Sequence, residues 1–279
     1  MKKHLSLIAA ALLCSAMAWS QRVYQAKDFG IIPNTGKDMT QAFANALSKI
    51  KTEADDKAAV LRLEAGDYDF FYDKANVREL YVSNHDQDNP KHVAIIIEDM
   101  ENFTLDGGGA SIHMNGRMLP IAMLDCNDCT IKNLSVDTRI PQITQVKVLE
   151  NDVEQGTITY EVAPYARYTI ENGRFTVHGE NWKLQPSWGI AFEGDTKRVV
   201  YSTSDIGLGT SNVTEVSPGI IRAPWRDARL KPGTVIAMRS YARPTPGIFL
   251  YDNDDTTLEN INVHYAEGMG LLAQICEDI

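Results

Sequence analysis

The chain has 279 residues, of which 27 are basic and 37 acidic, so its formal net charge is −10. The first twenty residues carry two lysines and no acid, and without them 25 basic residues face 37 acidic ones, a net charge of −12. Such a surface repels phosphate backbones and anionic lipids. We therefore expect no nucleic-acid partner, whereas an uncharged ligand such as a sugar is compatible with this charge.

The N-terminus has the pattern of a secretory signal peptide. Lys2 and Lys3 precede an apolar run at 5–13, and Ala16-Met17-Ala18 offers a small-x-small cleavage site. The apolar run is shorter than the ~20 residues that span a bilayer, and no other segment is long and apolar enough. We expect residues 1–20 to be removed on export to the periplasm or cell exterior, with no membrane span.

Four segments share one pattern: in the first three an Asn or Asp is followed two residues later by Thr and then by an apolar residue, and the fourth contains the pattern up to the residue after its Asp. The Asn/Asp positions are 26 residues apart in the first pair and 23 in the last, and apolar runs precede them. Short strands, polar turns and such a period predict a parallel β-solenoid. A leucine-rich repeat is the competing solenoid, but its leucine spacing is absent. The segments are EDMENFTL at 98–105, LDCNDCTI at 124–131, YDNDDTTL at 251–258 and QICEDI at 274–279.

The alignment also places the cysteines. Cys126 and Cys276 occupy the same turn position, with Asn253 in the repeat between them. Two strand spacings separate them by roughly 10 Å, beyond the ~7 Å Cα limit for a disulfide. A single C-x-x-C pair, Cys126 and Cys129, is weak evidence for zinc. We therefore expect buried free thiols and no metal.

About one hundred residues interrupt the repeats between Asp128 and Asp255. The interruption contains hairpin signals, of which Asn172-Gly173 suits a type I′ turn and residues 150–156 a second turn. We predict an inserted β-barrel or β-sandwich domain here. Near the N-terminus, an apolar face of helical period predicts a helix that covers the open end of the solenoid, with Asp38 and Gln41 as its N-terminal cap. The face consists of Met39, Ala42, Phe43, Ala46, Leu47 and Ile50.

The predicted fold is thus all-β, a parallel solenoid with an N-terminal capping helix and an inserted β domain. The predicted boundaries are 1–20 for the signal peptide, 21–138 for the cap and first repeats, 139–245 for the insertion and 246–279 for further repeats.

The N-terminal segment resembles the entry of pectate-lyase-like proteins, which are right-handed parallel β-helices. The likeness lies in Asp28-Phe-Gly30, in the Gly36 to Phe43 pattern and in Val60 to Tyr68, where Ala65 replaces the usual proline. Longer motifs resemble glycoside hydrolase family 110 from about Tyr24 onward. They are YVSNHDQDNPKHV at 81–93, GRMLP at 116–120, SWGIAFEG at 187–194, YSTSDIG at 201–207, RPTPGIF at 243–249 and HYAEGMGLLAQICEDI at 264–279.

The resemblance implies an exo-acting α-1,3-galactosidase that removes terminal galactose from blood-group-B-type glycans with inversion and without a cofactor. The family's catalytic aspartates follow the Cys-Glu-Asp-Ile motif, which is where this sequence ends at Ile279. No residue of this chain is therefore assigned as catalytic, and the chain alone is expected to be inactive. The alternative is a non-catalytic β-helix that binds glycans or serves a structural role.

Two segments supply candidate residues for binding the glycan. The polar loop 83–90 offers Asn84, His85 and Asp86 to sugar hydroxyls, although a solvated loop or a weak calcium loop is equally typical of this composition. His264 and Glu267 follow a predicted strand, either beside the sugar or at an exposed corner.

Three further side chains are expected to have structural roles. Trp188 is expected in the core of the insertion, although an indole also stacks on sugars. Arg117 and Arg243 are of a type that binds sugar hydroxyls, but we expect them to pair with the many surface acids instead.

Overall fold

The computed structural model describes residues 21–54, 57–202 and 204–279, so the predicted signal peptide lies outside the described residues. Within these ranges the chain is mostly β with one α-helix, α1 (Thr40–Ala54), and two 3-10 turns at Ala26–Phe29 and Tyr72–Lys74. Nowhere in these ranges is a helix both long and apolar enough to cross a membrane.

The strands, in chain order, are β1 (Arg22–Gln25), β2 (Ala59–Arg62), β3 (Gly66–Phe71), β4 (Asn76–Arg78), β5 (Lys91–Glu98), β6 (Phe103–Asn115), β7 (Leu119–Leu124), β8 (Asn127–Thr138), β9 (Thr144–Asp152), β10 (Thr157–Val162), β11 (Tyr168–Glu171), β12 (Arg174–Gly179), β13 (Trp182–Leu184), β14 (Trp188–Phe192), β15 (Ile206–Gly207), β16 (Thr214–Ser217), β17 (Ile220–Pro224), β18 (Val235–Met238), β19 (Ile248–Tyr251), β20 (Asp254–Val263) and β21 (Leu271–Gln274).

The first sheet is parallel and follows the order β1-β2-β6-β8-β20, with β3 also pairing with β6. Its register matches the alignment of the repeats, because Thr104 lies opposite Thr130 and Thr130 lies opposite Thr257. The apolar residue after each threonine therefore forms a column as well. The predicted pairing of the first three repeats is confirmed.

The second sheet has the order β21-β19-β7-β5-β4, and all its pairs are parallel except β4 with β5. Apolar side chains from both parallel sheets share one core; Ile97 and Ile121 of the second sheet lie in the same cluster as Leu105 and Ile131 of the first. Burying this shared face is the main stabilising contribution, because neither sheet can bury it alone.

The predicted cap is present as α1, which buries Phe43, Ala46, Leu47 and Ile50 in this same core. The Asp38 carboxylate accepts hydrogen bonds from the Thr40 N–H (3.0 Å) and from the Phe71 N–H (2.9 Å), so it ties the start of the helix to β3. Gln41 does not complete the cap, because its amide bonds Asn45 one turn further along.

The turns between the sheets use residues in the left-handed region. Two aligned positions recur, and their φ values all lie between 46° and 58°. Asn and Asp tolerate this conformation because their short side chains bond the local backbone. The first position holds Asp99, Asp125, Asp252 and Ile275, and the second holds Asn102, Asp128, Asp255 and Asp278.

Asn253 lies between Cys126 and Cys276, as the alignment predicts. Its Oδ1 accepts the Cys126 N–H at 2.8 Å, and its own N–H points at the Cys276 sulfur at 3.5 Å. Cys126, Cys129 and Cys276 are all free thiols, the first two buried.

Residues 144–238 form antiparallel sheets with a core of their own, which contains Val146, Tyr160 and Phe175. One sheet has the order β15-β14-β18-β9-β10-β17-β16 and the other β11-β12-β13. Asn172 and Gly173 both have positive φ between paired β11 and β12, as a type I′ turn requires. The boundaries 139–245 stay a prediction.

Both ends of this antiparallel segment are bonded to neighbouring parts of the chain, one to β3 and the other to loop 83–90. The Arg139 guanidinium donates to both carboxylate oxygens of Asp69, at 2.9 and 3.1 Å. Burial alone would raise the pKa of Asp69, but the hydrogen bonds from Arg139 and Asn115, with the Arg139 charge, hold it below its ordinary value. At the other end, the backbones of Arg243 and Asp86 bond each other. The chain is thus held in place both where it enters the antiparallel segment and where it leaves it.

Candidate functional site

The loop 83–90 is folded down against the parallel sheets rather than fully solvated. His85 is 8% exposed; its Nδ1 bonds the Ser83 carbonyl at 2.9 Å, and its Nε2 accepts the Met269 N–H at 3.2 Å. This pattern places the ring proton on Nδ1. His85 therefore connects the loop to residues 268–269 and has no free ring nitrogen to offer a sugar.

Asp86 also faces inward. Its Oδ2 accepts the Arg243 N–H at 2.9 Å, and its carbonyl accepts a hydrogen bond from the buried Lys91 ammonium at 2.7 Å. Asn84 is exposed at a φ of 56°, with its Nδ2 3.7 Å from the Met269 sulfur. Of the three loop candidates, only Asn84 has a side chain that faces solvent.

Glu267 is the most unusual ionisable group of the region. Its side chain is 5% exposed; Gln142 donates to Oε1 at 3.1 Å, and Arg117 Nε lies 3.7 Å from Oε2. Neither Oε2 nor Arg117 Nε has a hydrogen-bond partner among the described residues. Burial raises the pKa of Glu267 to about 8, and the Arg117 charge opposes this shift only in part. The carboxyl is thus mainly protonated at neutral pH.

Tyr265 also contacts Gln142 and lies near Glu267. Its hydroxyl oxygen accepts the Gln142 N–H at 2.9 Å, and burial, reinforced by the nearby Glu267, raises its pKa. Gln142 therefore holds the start of the antiparallel segment to Tyr265 through its backbone and to Glu267 through its side chain. The sequence offered no local pattern that marks Gln142.

These contacts surround a cleft of about 350 Å³ between residues 239–243 and residues 265–269. Loop 83–90 packs behind it through His85 and Asp86. The structure therefore brings Asn84, His85, Asp86 and Glu267 into one region. The cleft is lined by Gln142, Ile143, Arg239, Ser240, Ala242, Arg243, Tyr265, Ala266, Glu267, Gly268 and Met269.

His264 is not drawn into this cleft. It is exposed, and its backbone N–H bonds the Val136 carbonyl at 2.9 Å. Three expectations for other residues are wrong. Trp188 is 46% exposed instead of buried in a core, and Arg117 faces the buried Glu267 rather than a surface acid. Within the described part of the chain, no acid pairs with the exposed Arg243 guanidinium.

One group of acids lies elsewhere. Within the described ranges, carboxylate oxygens of Asp254, Asp255 and Asp278 lie within 4.8 Å of one another, and all three residues are exposed. Asp255 and Asp278 hold left-handed turn positions, which accounts for their residue type.

Comparison with known proteins identifies the class. A family model described as GLAA-B beta-barrel domain I matches residues 144–236. The chain is 50% identical, over 99% of its length, to a Phocaeicola vulgatus protein named "Alpha-1,3-galactosidase B", of which it covers 47%. A Parabacteroides distasonis protein of that name is 50% identical over 92% of the chain and 42% of the relative. An "Alpha-1,3-galactosidase A" of Bacteroides fragilis is 30% identical over 100% of the chain and 47% of the relative.

These similarities define the class as galactosidase-type glycoside hydrolases. Within that class, the chain belongs to the α-1,3-galactosidase family. It spans about half the length of the curated relatives that it matches.

Proposed function

We propose that this chain forms part of an exo-acting glycosidase that releases terminal α-1,3-linked galactose from blood-group-B-type glycans with inversion. The observation that carries the proposal is the 50% identity, across 99% of the chain, with a protein named alpha-1,3-galactosidase B. The acidic composition and the polar cleft around Glu267 agree with an uncharged saccharide ligand.

The fold that supports this activity is, in our proposal, a right-handed parallel β-helix. The chain alternates between the two parallel sheets as it passes through β5, β6, β7 and β8, and again through β19, β20 and β21. Parallel strands joined by crossovers are right-handed in nearly all proteins. An experimental structure in which successive strands do not wind about one axis would contradict this assignment.

Hydrolysis with inversion needs an acid and a base about 6.5–9.5 Å apart, on either side of the glycosidic bond. The family resemblance puts the catalytic aspartates after the Cys276-to-Ile279 motif. We therefore assign Asn84, His264 and Glu267 to substrate binding, with His85 and Asp86 holding the loop in place. Residues 21–279 alone are expected to release no galactose, because neither leaving-group protonation nor water activation is supplied.

The test compares two proteins, the product of the full reading frame and residues 21–279, on a B-type trisaccharide. We expect galactose release by the first only, with β-galactose as the first anomer in a proton NMR time course. Initial release of α-galactose would refute inversion, and turnover by residues 21–279 would refute the placement of the catalytic groups. Binding without turnover by both proteins would favour the glycan-binding alternative.

Export through residues 1–20 is part of the same proposal, because these residues have the pattern of a secretory signal peptide. Fractionating the producing cells and sequencing the N-terminus of the protein tests it. A protein that keeps Met1 and stays in the cytoplasm would contradict export.

A further inference from the structure

We propose that the cleft between residues 239–243 and 265–269 is a subsite for the sugars on the reducing side of the terminal galactose. This inference rests on the proposed function, because it assumes that the ligand is a glycan. To the proposed function it adds the place where these sugars bind, the part of the substrate that binds there and the residues that bind it.

The chemistry of the cleft suits sugar hydroxyls. Arg243 is exposed, and within the described part of the chain nothing pairs with its guanidinium, which leaves its N–H donors available. Glu267 lines the cleft with a buried carboxyl oxygen that lacks a partner. A cleft of about 350 Å³ is within the range of small-molecule sites. A guanidinium donor and a carboxyl oxygen are thus present around a space large enough for a sugar.

Two exposed aromatic residues, Tyr241 and Trp188, adjoin the lining residue Arg239 through the backbone. Tyr241 is 71% exposed and belongs to the same segment as the lining residues Arg239 and Arg243. Trp188 is 46% exposed, and its carbonyl accepts the Arg239 N–H at 3.1 Å. Exposed rings next to hydrogen-bonding groups provide an apolar face for the C–H surface of a sugar.

Arg239 holds this arrangement in place. Its Nε donates to Asp205 Oδ2 at 2.8 Å, and its Cζ lies 5.8 Å from the centre of the Tyr241 ring. A guanidinium over an aromatic ring is attractive. This contact favours one orientation of the exposed Tyr241 ring.

In our proposal both catalytic carboxyl groups follow the Cys276-to-Ile279 motif, so we assign the residues that line this cleft to binding and not to the hydrolytic step. Glu267 supplies the single carboxyl group among these lining residues. Sugars beyond the terminal galactose need binding groups only. This is why we assign the cleft to the reducing side.

The experiment uses the product of the full reading frame with Tyr241→Ala and Arg243→Ala, and with Tyr201→Ala as the matched control. Tyr201 is 88% exposed and lines a different cleft. The kcat/KM for the B-type trisaccharide is divided by that for an aryl α-galactoside, which has no sugar on the reducing side. We expect this ratio to fall about three- to tenfold in each cleft variant, the range for losing one stacking or charged hydrogen-bond contact. It should not change in the control.

An unchanged ratio in both cleft variants, with an active wild type, overturns the subsite and leaves the proposed function intact. A wild type that hydrolyses neither substrate overturns the proposed function instead. In that case calorimetric titration of the wild type and the variants with the trisaccharide tests whether the cleft binds the glycan. Weaker binding in Tyr241→Ala than in Tyr201→Ala supports the subsite, whereas equal binding, or none by the wild type, overturns it.

Discussion

The His85 imidazole lies directly against Gly268, so that a Cβ atom at residue 268 would be 2.2 Å from Nε2. The next residue, Met269, donates its N–H to the same nitrogen at 3.2 Å. Close approach, rather than an unusual backbone angle, is what requires glycine here. Loop 83–90 is therefore fitted to residues 268–269 across more than 180 positions of sequence.

Gly268→Ala is expected to destabilise the protein by about 1–3 kcal/mol, because the buried ring has to move and its hydrogen bond is lost. The midpoint of thermal unfolding measures the effect. The matched test is the double variant His85→Ala/Gly268→Ala. Its loss of stability should be clearly smaller than the sum of the losses in the two single variants. Additive costs would show that His85 and Gly268 do not contact each other.

Ile275 occupies the left-handed position that Asp252 holds in the preceding repeat, with φ values of 58° and 53°. This conformation costs a β-branched residue about 1–2 kcal/mol. Since Ile275 is 67% exposed, Ile275→Asn loses little burial and should raise the free energy of unfolding by about 1 kcal/mol. The reciprocal change Asp252→Ile should lower it by a similar amount. Urea denaturation of both variants measures these changes. Variants with the same stability as wild type would contradict the prediction.

Glu267→Gln is expected to change the pH dependence of stability. The folded protein raises the pKa of Glu267 to about 8 from its ordinary value of 4.5. The unfolded chain therefore releases this proton first, and the contribution of Glu267 to stability is full below pH 4.5 and declines up to about pH 8. Glutamine does not titrate. The unfolding temperature of the variant should thus rise relative to wild type between these limits and level off above them.

The measurement is a series of thermal unfolding curves at constant ionic strength, taken as the difference between the two proteins so that other titrations cancel. A difference that does not depend on pH would show that Glu267 is ionised in the folded protein.

Asn253 is 2% exposed and bonds the Cys126 N–H through Oδ1 and the Met123 carbonyl through Nδ2, at 2.8 and 3.0 Å. Asn253→Ala removes both hydrogen bonds and takes from the Cys126 N–H its side-chain partner, which should lower the free energy of unfolding by about 2 kcal/mol. Asn262→Ala is the comparison, since Asn262 is exposed and lies in strand β20. Urea denaturation should rank the two variants, and equal costs would contradict the role of Asn253.

The regular part of the molecule could be predicted from the sequence because its signals are local and repeated. Thr104, Thr130 and Thr257 fall opposite one another since each follows an Asn or Asp turn at a fixed distance. The Asn172-Gly173 turn was predictable for the same reason: its backbone angles are a property of the two residues themselves.

The candidate site could be predicted only as a set of polar segments. Its geometry depends on contacts between distant residues, such as Glu267 with Gln142 and His85 with Met269, which no local pattern encodes. Trp188 was misjudged because the face of a strand that is exposed depends on what packs over it. Arg117 was misjudged because the burial of its partner Glu267 is a tertiary property.

The pairing of β8 with β20 has a consequence for the order of folding. Leu258 lies opposite Ile131, yet the chain between them includes the whole antiparallel segment, whose own strand pairs are mostly close in sequence. A long unstructured loop raises the entropic cost of closing this contact and slows it. Once residues 144–238 have folded, the two ends of this segment are held together, since Thr144 lies opposite Met238, and the effective loop becomes short. We therefore expect the antiparallel segment to form first and the β8–β20 pair to follow.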